Sequence, residues 1–233
     1  MKLYLLFSGI LVVTSSAYAG PCLPGTLQDY VNLGVTGCQD GAVLFSGFAS
    51  APGQNAAIPI PLLQVSVTPG GTQYMPTLLF ALNKSALPNQ LFESFFRFKA
   101  SSPALVGEMI GLNSPGVTGD GAVTATMDIC PGASFSGNSP AGCANAASLL
   151  AAATSGFSML SDSAAFSPKS FFDVFVDLSV DGGIGGGSAR FTSATVTTTA
   201  TPEPSSSQFA LAGLALVTLF GIRRNSLLNW RKQ

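Results

Sequence analysis

Between residues 20 and 195 apolar side chains recur at every second position, in short runs broken by glycine and proline. This pattern limits the fold more than any other feature. A strand turns successive side chains to opposite faces, whereas a helix repeats every 3.6 residues. In residues 171–180 the even positions Phe172, Val174, Val176, Leu178 and Val180 are apolar, and the odd ones include Asp173, Asp177 and Ser179. Residues 122–129 alternate in the same way, with Val123, Ala125, Met127 and Ile129 against Thr124, Thr126 and Asp128. Further strands are expected over 42–48, 63–68, 77–82, 91–98, 106–112 and 189–197. Turn signals separate them: Pro69-Gly70-Gly71, Leu87-Pro88-Asn89, Ser114-Pro115-Gly116, Gly119-Asp120-Gly121 and Asp181-Gly182-Gly183. Eight or nine short strands at this spacing predict an all-β domain, an antiparallel β-sandwich of jelly-roll-like type. Only residues 144–153 read as helical, and no internal repeat is present.

Charged residues make up 9% of the chain, too few to cover long exposed helices, while 47% hydrophobic content and 17 Phe argue for a real core. The net charge of −1 hides an asymmetry. Five of the ten basic residues (Lys2, Arg223, Arg224, Arg231, Lys232) lie at the ends, leaving Lys84, Arg97, Lys99, Lys169 and Arg190 against ten acids between Asp29 and Asp181. The central domain is therefore acidic, and nucleic acid is not an expected partner. There is no histidine. That removes Ser-His-Asp and Cys-His catalysis and His-ligated zinc.

Residues 1–19 read as a signal peptide. Lys2 supplies the charge, residues 3–13 the apolar run, and Ala17-Tyr18-Ala19 a small-x-small site for signal peptidase before Gly20. An eleven-residue run is too short to span a bilayer. Cys22 follows Gly20-Pro21, which is no lipobox. At the other end, residues 196–207 are rich in Thr, Pro and Ser and read as a linker. Residues 209–222 carry no charge and are closed by Arg223 and Arg224. As a helix they reach about 21 Å, or about 27 Å with residues 205–208 included, against a hydrocarbon core of about 30 Å. A single C-terminal transmembrane helix over 208–233 with its basic tail is expected, oriented with the basic end in the cytoplasm.

The order of Pro202-Glu203-Pro204, an apolar segment and Arg223-Arg224 closely resembles the PEP-CTERM sorting tails of Gram-negative bacteria, also labelled "ice-binding protein C-terminal". The resemblance implies recognition by an exosortase, a membrane-embedded cysteine protease that cuts near the Pro-Glu-Pro element. It further implies a precursor tethered transiently to the inner membrane, then delivery to the cell surface, the outer membrane or the exterior. Residues 225–233 make a longer tail than is typical. The domain also resembles many PEP-CTERM proteins that open with a Cys, Gly-Thr/Ser-Leu, a Tyr, Leu-Gly and a second Cys. Here these are Cys22, Gly25-Thr26-Leu27, Tyr30, Leu33-Gly34 and Cys38, followed by Leu44-Phe45-Ser46. The strand ending in Asp128-Ile129-Cys130 looks like that group's strand ending in an acid and a Cys. No activity comes with this second resemblance.

Four cysteines in an exported chain imply two disulfides, with three possible connectivities. Cys22–Cys38 and Cys130–Cys143 are favoured because each closes a short Gly/Pro-bearing loop. No C-x-x-C spacing suggests a metal site. Asp173 and Asp177, four apart on one strand face, lie about 13–14 Å from one another, beyond the roughly 5–9.5 Å of a glycosidase pair. Glu93, Glu108 and Asp128 could supply a partner only through the fold. Asp177, Asp181 and residues 182–187 offer too few carboxylates for a calcium loop and are expected to form a Gly-rich hairpin with solvated acids. Gly185-Gly186-Gly187 lacks the Gly-Lys-Ser/Thr of a phosphate loop. Phe92, Phe95, Phe96 and Phe98 are expected in the core, since a sugar platform favours exposed Trp and Tyr. No catalytic residue, metal or cofactor is expected. The role expected is that of a surface or matrix protein, with exopolysaccharide binding as the alternative. A flat, regular Thr face would favour a binding module; the Thr-rich stretch 192–201 has no long repeat.

Replacing Glu203 or deleting Arg223-Arg224 should leave an unprocessed, membrane-retained form, read by cell fractionation and intact-mass spectrometry. Processing identical to that of the unaltered chain would refute the sorting reading.

Overall fold

The computed structural model describes residues 19–53 and 57–202. In chain order the strands are β1 (Gly20–Pro21), β2 (Gly25–Thr26), β3 (Cys38–Asp40), β4 (Val43–Ser50), β5 (Ile58–Pro59), β6 (Ser66–Thr72), β7 (Met75–Ala86), β8 (Leu91–Asn113), β9 (Gly116–Thr118), β10 (Ala122–Pro131), β11 (Ala147–Thr154), β12 (Ser158–Met159), β13 (Ser161–Asp181) and β14 (Ser188–Ala200). Among the described residues there is one α-helix, α1 (Leu27–Asn32), and one 3-10 turn at Leu62–Gln64. The protein is thus mostly β, built on a large antiparallel sheet; β1–β3 and β5–β8 are its parallel pairs.

Two strands set the architecture. β8 runs for 23 residues and β13 for 21, and they pair with each other along most of that length. The first half of β8 lies between β4 and the second half of β13, whose far side carries β10 and then β11. Its second half lies between the first half of β13 and β14, followed by β7 and β6. The sheet therefore has two wings joined through β8 and β13. The joint falls at Pro103 in β8 and Pro168 in β13, where the register shifts between Ala165, Lys169 and Phe171. Proline cannot donate to a ladder, so it sits where a strand bends or bulges.

One apolar core draws on both wings. From the first come Phe96, Phe98, Val123, Met127, Val174, Val176 and Leu178, and from the second Leu78, Phe80, Ile110, Leu112, Ala194 and Val196. The alternation read in 122–129 and 171–180 is the core-facing half of β10 and β13, paired in register from Ala122↔Asp181 to Pro131↔Phe172. Both favoured disulfides, Cys22–Cys38 and Cys130–Cys143, are formed.

Several expectations are corrected. Residues 144–153 are not helical; Ala147–Thr154 is β11, with Ala151 opposite Ala125 and Leu149 opposite Met127. Alanine's helix propensity is a weak preference, and burial against β10 overrides it. The helix α1 was not foreseen, although its signal is present: Thr26 and Asp29 form a capping box, each side chain bonded to the other's backbone N–H. Residues 91–98 and 106–112 are halves of the single strand β8. Pro69-Gly70-Gly71 lies inside β6, and the hairpin turns between Thr72 and Met75 instead. The expected linker begins too early, because β14 continues to Ala200 with Val196, Thr198 and Ala200 buried. Threonine, a strong strand former, carries the alternation there, so an apolar count misses it. No helix of the described residues is long and apolar enough to cross a membrane. The signal residues 1–18, the remainder of the sorting motif from Glu203, the apolar segment, and Arg223 and Arg224 lie outside the described residues; Ala19 precedes β1 and Gly20 opens it.

Non-reducing peptide mapping should return Cys22–Cys38 and Cys130–Cys143 alone. Removing the second bridge by Cys130→Ala with Cys143→Ala should lower the unfolding free energy by about 3 kcal/mol in a denaturant titration. A link from Cys22 to Cys130 or Cys143 would overturn the pairing.

Candidate functional site

The first wing has a second, smaller apolar cluster on the face turned away from the core. Cys130, Phe135 and Phe175 form it, with Phe95 and Cys143 against them. Phe135 comes from the connection 132–146 between β10 and β11, a length at which connections are commonly functional. Several contacts hold this loop on the sheet, among them the Gly132 N–H donating to the Phe171 carbonyl at 2.9 Å. The Cys130–Cys143 bridge closes it. The Phe135 ring sits edge-on to Phe175 at 5.3 Å, and Phe175 lies 5.4 Å from Phe95. The Phe135 N–H donates to Asp173 Oδ2 at 3.0 Å. Arg97 Nη1 donates to the Gly137 carbonyl at 2.6 Å, with its guanidinium 5.8 Å over the Phe175 ring.

The loop divides this face into two recesses of opposite charge. One, of about 290 Å³, is lined by Glu93, Phe95, Thr126, Asp128 and Asp177, with Pro140 of the loop and Pro52-Gly53 at its rim. The other, of about 360 Å³, is lined by Arg97, Lys99, Ser46, Ser134 and Asp173. Gly47, at φ +63, lies in this second recess where a Cβ would meet nothing, so the β4 bulge between Ser46 and Ala49 leaves it open. Lys99 Nζ stands 4.5 Å over the Phe171 ring.

Register explains the acidic recess. Asp177 on β13 lies opposite Thr126 on β10 and Phe95 on β8. Asp128 and Glu93 are thus its diagonal neighbours on the two flanking strands, a separation that long side chains bridge. Asp177 and Glu93 are hydrogen-bonded through their side chains. Burial, then the Glu93 charge and that hydrogen bond, then the Asp128 charge, push the Asp177 carboxyl up to about 7. The Ser148 hydroxyl donates to Asp128 Oδ1. Gly53 sits so close that a Cβ there would overlap the Glu93 carboxylate. Asp177 thus presents a carboxyl to this recess beside the Phe95 ring. Among the described residues no group of three or more His, Cys, Asp or Glu side chains is placed to hold a metal ion.

The remaining acids have other roles. Asp173 is buried and holds the loop rather than joining Asp177. Glu108 is buried in the core of the second wing, where the Thr198 hydroxyl donates to Oε1 at 2.9 Å while Oε2 has no partner. Burial lifts its carboxyl well above the usual range. The Gly-rich hairpin 182–187 is arranged for an anion rather than a cation. Its Ile184, Gly185 and Gly187 N–H groups converge on the Asp120 carboxylate, which those bonds hold below its ordinary pKa. Asp181 accepts from the Gly183 N–H in its own turn. Phe96 and Phe98 are core residues, as expected, whereas Phe95 faces outward. In the second wing Thr195, Thr197 and Thr199 share a face, but Thr197 and neighbouring Ser193 are buried, so no open threonine array results.

This is an all-β domain closed by two disulfides, which fit an extracytoplasmic protein. Residues 200–225 match the PEP-CTERM protein-sorting motif, so the chain carries that motif near its C-terminus. The motif implies processing by an exosortase and export to the cell surface. No curated protein matches the chain. One solved structure similar to part of it is that of TmCBM61 in complex with beta-1,4-galactotriose, at 13% identity and a TM-score of 0.25, covering 52% of this chain and 69% of that one. So low a TM-score carries no argument about fold or ligand.

The Asp177 shift has a definite sign. A carboxyl raised in the folded state binds its proton more tightly there than in the unfolded chain, whose Asp titrates near 4. Its contribution to stability is therefore largest below about pH 4 and declines as pH rises toward about 7. Glu108 acts in the same direction. Thermal unfolding of Asp177→Asn should show a flatter decline between pH 4 and 7 than the unaltered protein; an unchanged slope would refute the raised Asp177 carboxyl.

Proposed function

We propose that this protein is a non-catalytic interaction protein of the cell surface or extracellular matrix, and that exopolysaccharide is its ligand. A two-layered sandwich, with the wings face to face over the core, is the scaffold we infer. The reading is carried by one observation: a disulfide-closed loop, pinned by Phe135, that leaves two polar recesses beside Phe95 and Phe171 on an otherwise regular sheet face. Sugar hydroxyls are met by carboxylates, Thr and Ser hydroxyls and Arg donors next to aromatic surface, and both recesses supply that combination.

A catalytic reading is less well supported. Glycosidase carboxyls stand about 5–9.5 Å apart to admit a sugar or water between them, whereas Asp177 and Glu93 bond to each other directly. The absence of histidine removes the commonest general base.

The test is calorimetric titration of the exported protein with dextran, galactan, alginate and polygalacturonate. Binding of at least one polymer is expected. Thr126→Val or Arg97→Gln should weaken it about tenfold, equivalent to about 1.4 kcal/mol. Thr199→Val, on the other wing, should leave it unchanged. Failure to bind any polymer would leave the purely structural role.

A further inference from the structure

The basic recess gathers a charge that the domain as a whole lacks. Five basic residues stand against ten acids between residues 20 and 195, and two of the five, Arg97 and Lys99, line this one recess. A third, Lys169, lies against Gly132 at the root of the same loop. Register puts them there. Ser46 of β4, Lys99 of β8 and Asp173 of β13 are direct cross-strand neighbours, and Arg97 stands two residues along β8, on the same face as Lys99. The acid in this row is already engaged, since Asp173 Oδ2 accepts from the Phe135 N–H. The two cations have donors to give. Lys99 Nζ stands 4.5 Å over the Phe171 ring and has no hydrogen-bond or ion-pair partner among the described residues. Arg97 commits Nη1 to the Gly137 carbonyl, and no carboxylate among the described residues pairs with its guanidinium. Both side chains are half-buried. A half-buried cation without a counter-charge gives up hydration that an incoming anion can replace.

We propose that this recess takes the carboxylate of a uronate sugar, so that the ligand is an acidic polysaccharide; the inference rests on the polysaccharide reading above. The planar guanidinium of Arg97 matches a carboxylate in shape, and Lys99 adds a point charge beside it. Ser46 and Ser134 offer hydroxyls that donate to or accept from the ring hydroxyls of the same sugar. A volume of about 360 Å³ is at the small end for ligand sites, which suits one part of a polymer lying over the face. The neighbouring recess excludes the same group, because Glu93, Asp128 and Asp177 would meet a carboxylate there with like charge. The two recesses therefore fix how an acidic chain lies. Its carboxylate falls on the Arg97–Lys99 side of the Phe135 loop, and neutral hydroxyls face the acids. The domain is acidic overall, so long-range attraction does not bring such a polymer in. Preference for the charged sugar has to come from Arg97 and Lys99 at close range.

Gellan, alginate and polygalacturonate, each intact and with its carboxylates reduced to alcohols, are titrated calorimetrically into the exported protein, with dextran and galactan as neutral polymers. At least one intact acidic polymer should bind at least about tenfold more tightly than its reduced form, equivalent to about 1.4 kcal/mol. Lys99→Gln should remove most of that preference while leaving binding of the reduced polymer, which also reports that the variant is folded. Lys99→Arg should keep the preference. Lys84→Gln, which removes the same charge from β7 outside the recess, should leave it unchanged. Equal affinity for an intact polymer and its reduced form, a preference that survives Lys99→Gln, or one lost equally in Lys84→Gln overturns the uronate site and leaves the polysaccharide reading standing. Binding of dextran or galactan alone has the same meaning. Failure of every polymer overturns both.

Discussion

The pairing of β8 with β13 is the contact on which the rest of the molecule depends. Each strand passes through both wings, so their ladder is the one element shared by the whole sheet. The first half positions β4 and β10, and the second positions β14. Pro103 and Pro168 lie where the β8–β13 register shifts, and beyond that region the outer neighbour of β8 changes from β4 to β14. Both wings contribute apolar side chains to one core.

The same ladder builds the recessed face. Because β8, β13 and β10 lie side by side in strict register, residues far apart in sequence meet as diagonal neighbours. Glu93, Asp177 and Asp128 come together in this way, and so do Arg97 and Asp173 around the Phe135 loop. The face is polar where the core side is apolar, so alternation alone brings the acids to one surface. The disulfide and Phe135 then divide an exposed sheet face into two open, oppositely charged recesses. Their charges remain separate because Arg97 is engaged with the loop carbonyl and the Phe175 ring rather than with the carboxyls.

At the end of β14 fold and sorting meet. The residues that continue the sheet and those that begin the sorting motif are contiguous, with Ala200 belonging to both. Thr198 ties this strand to the buried Glu108 carboxyl, so the end of β14 is held by core packing.

The order of the chain was legible in the amino-acid sequence: alternation in 122–129 and 171–180, most of the turns, the two local disulfides, and a tail whose motif is linear and read without folding. These are properties of near neighbours, and near neighbours are what a sequence lists. The helix α1 was legible too, in Thr26 and Asp29, but its six residues are too few to show a period. What only the tertiary structure decided depends on register between distant strands. Residues 147–154 became a strand because β10 offered a partner, and residues 196–200 stayed in the sheet because β7 and β8 enclose them. Asp177 was paired with Glu93 and Asp128 rather than with Asp173, since the sheet's lateral spacing of about 5 Å is shorter than four residues along a strand.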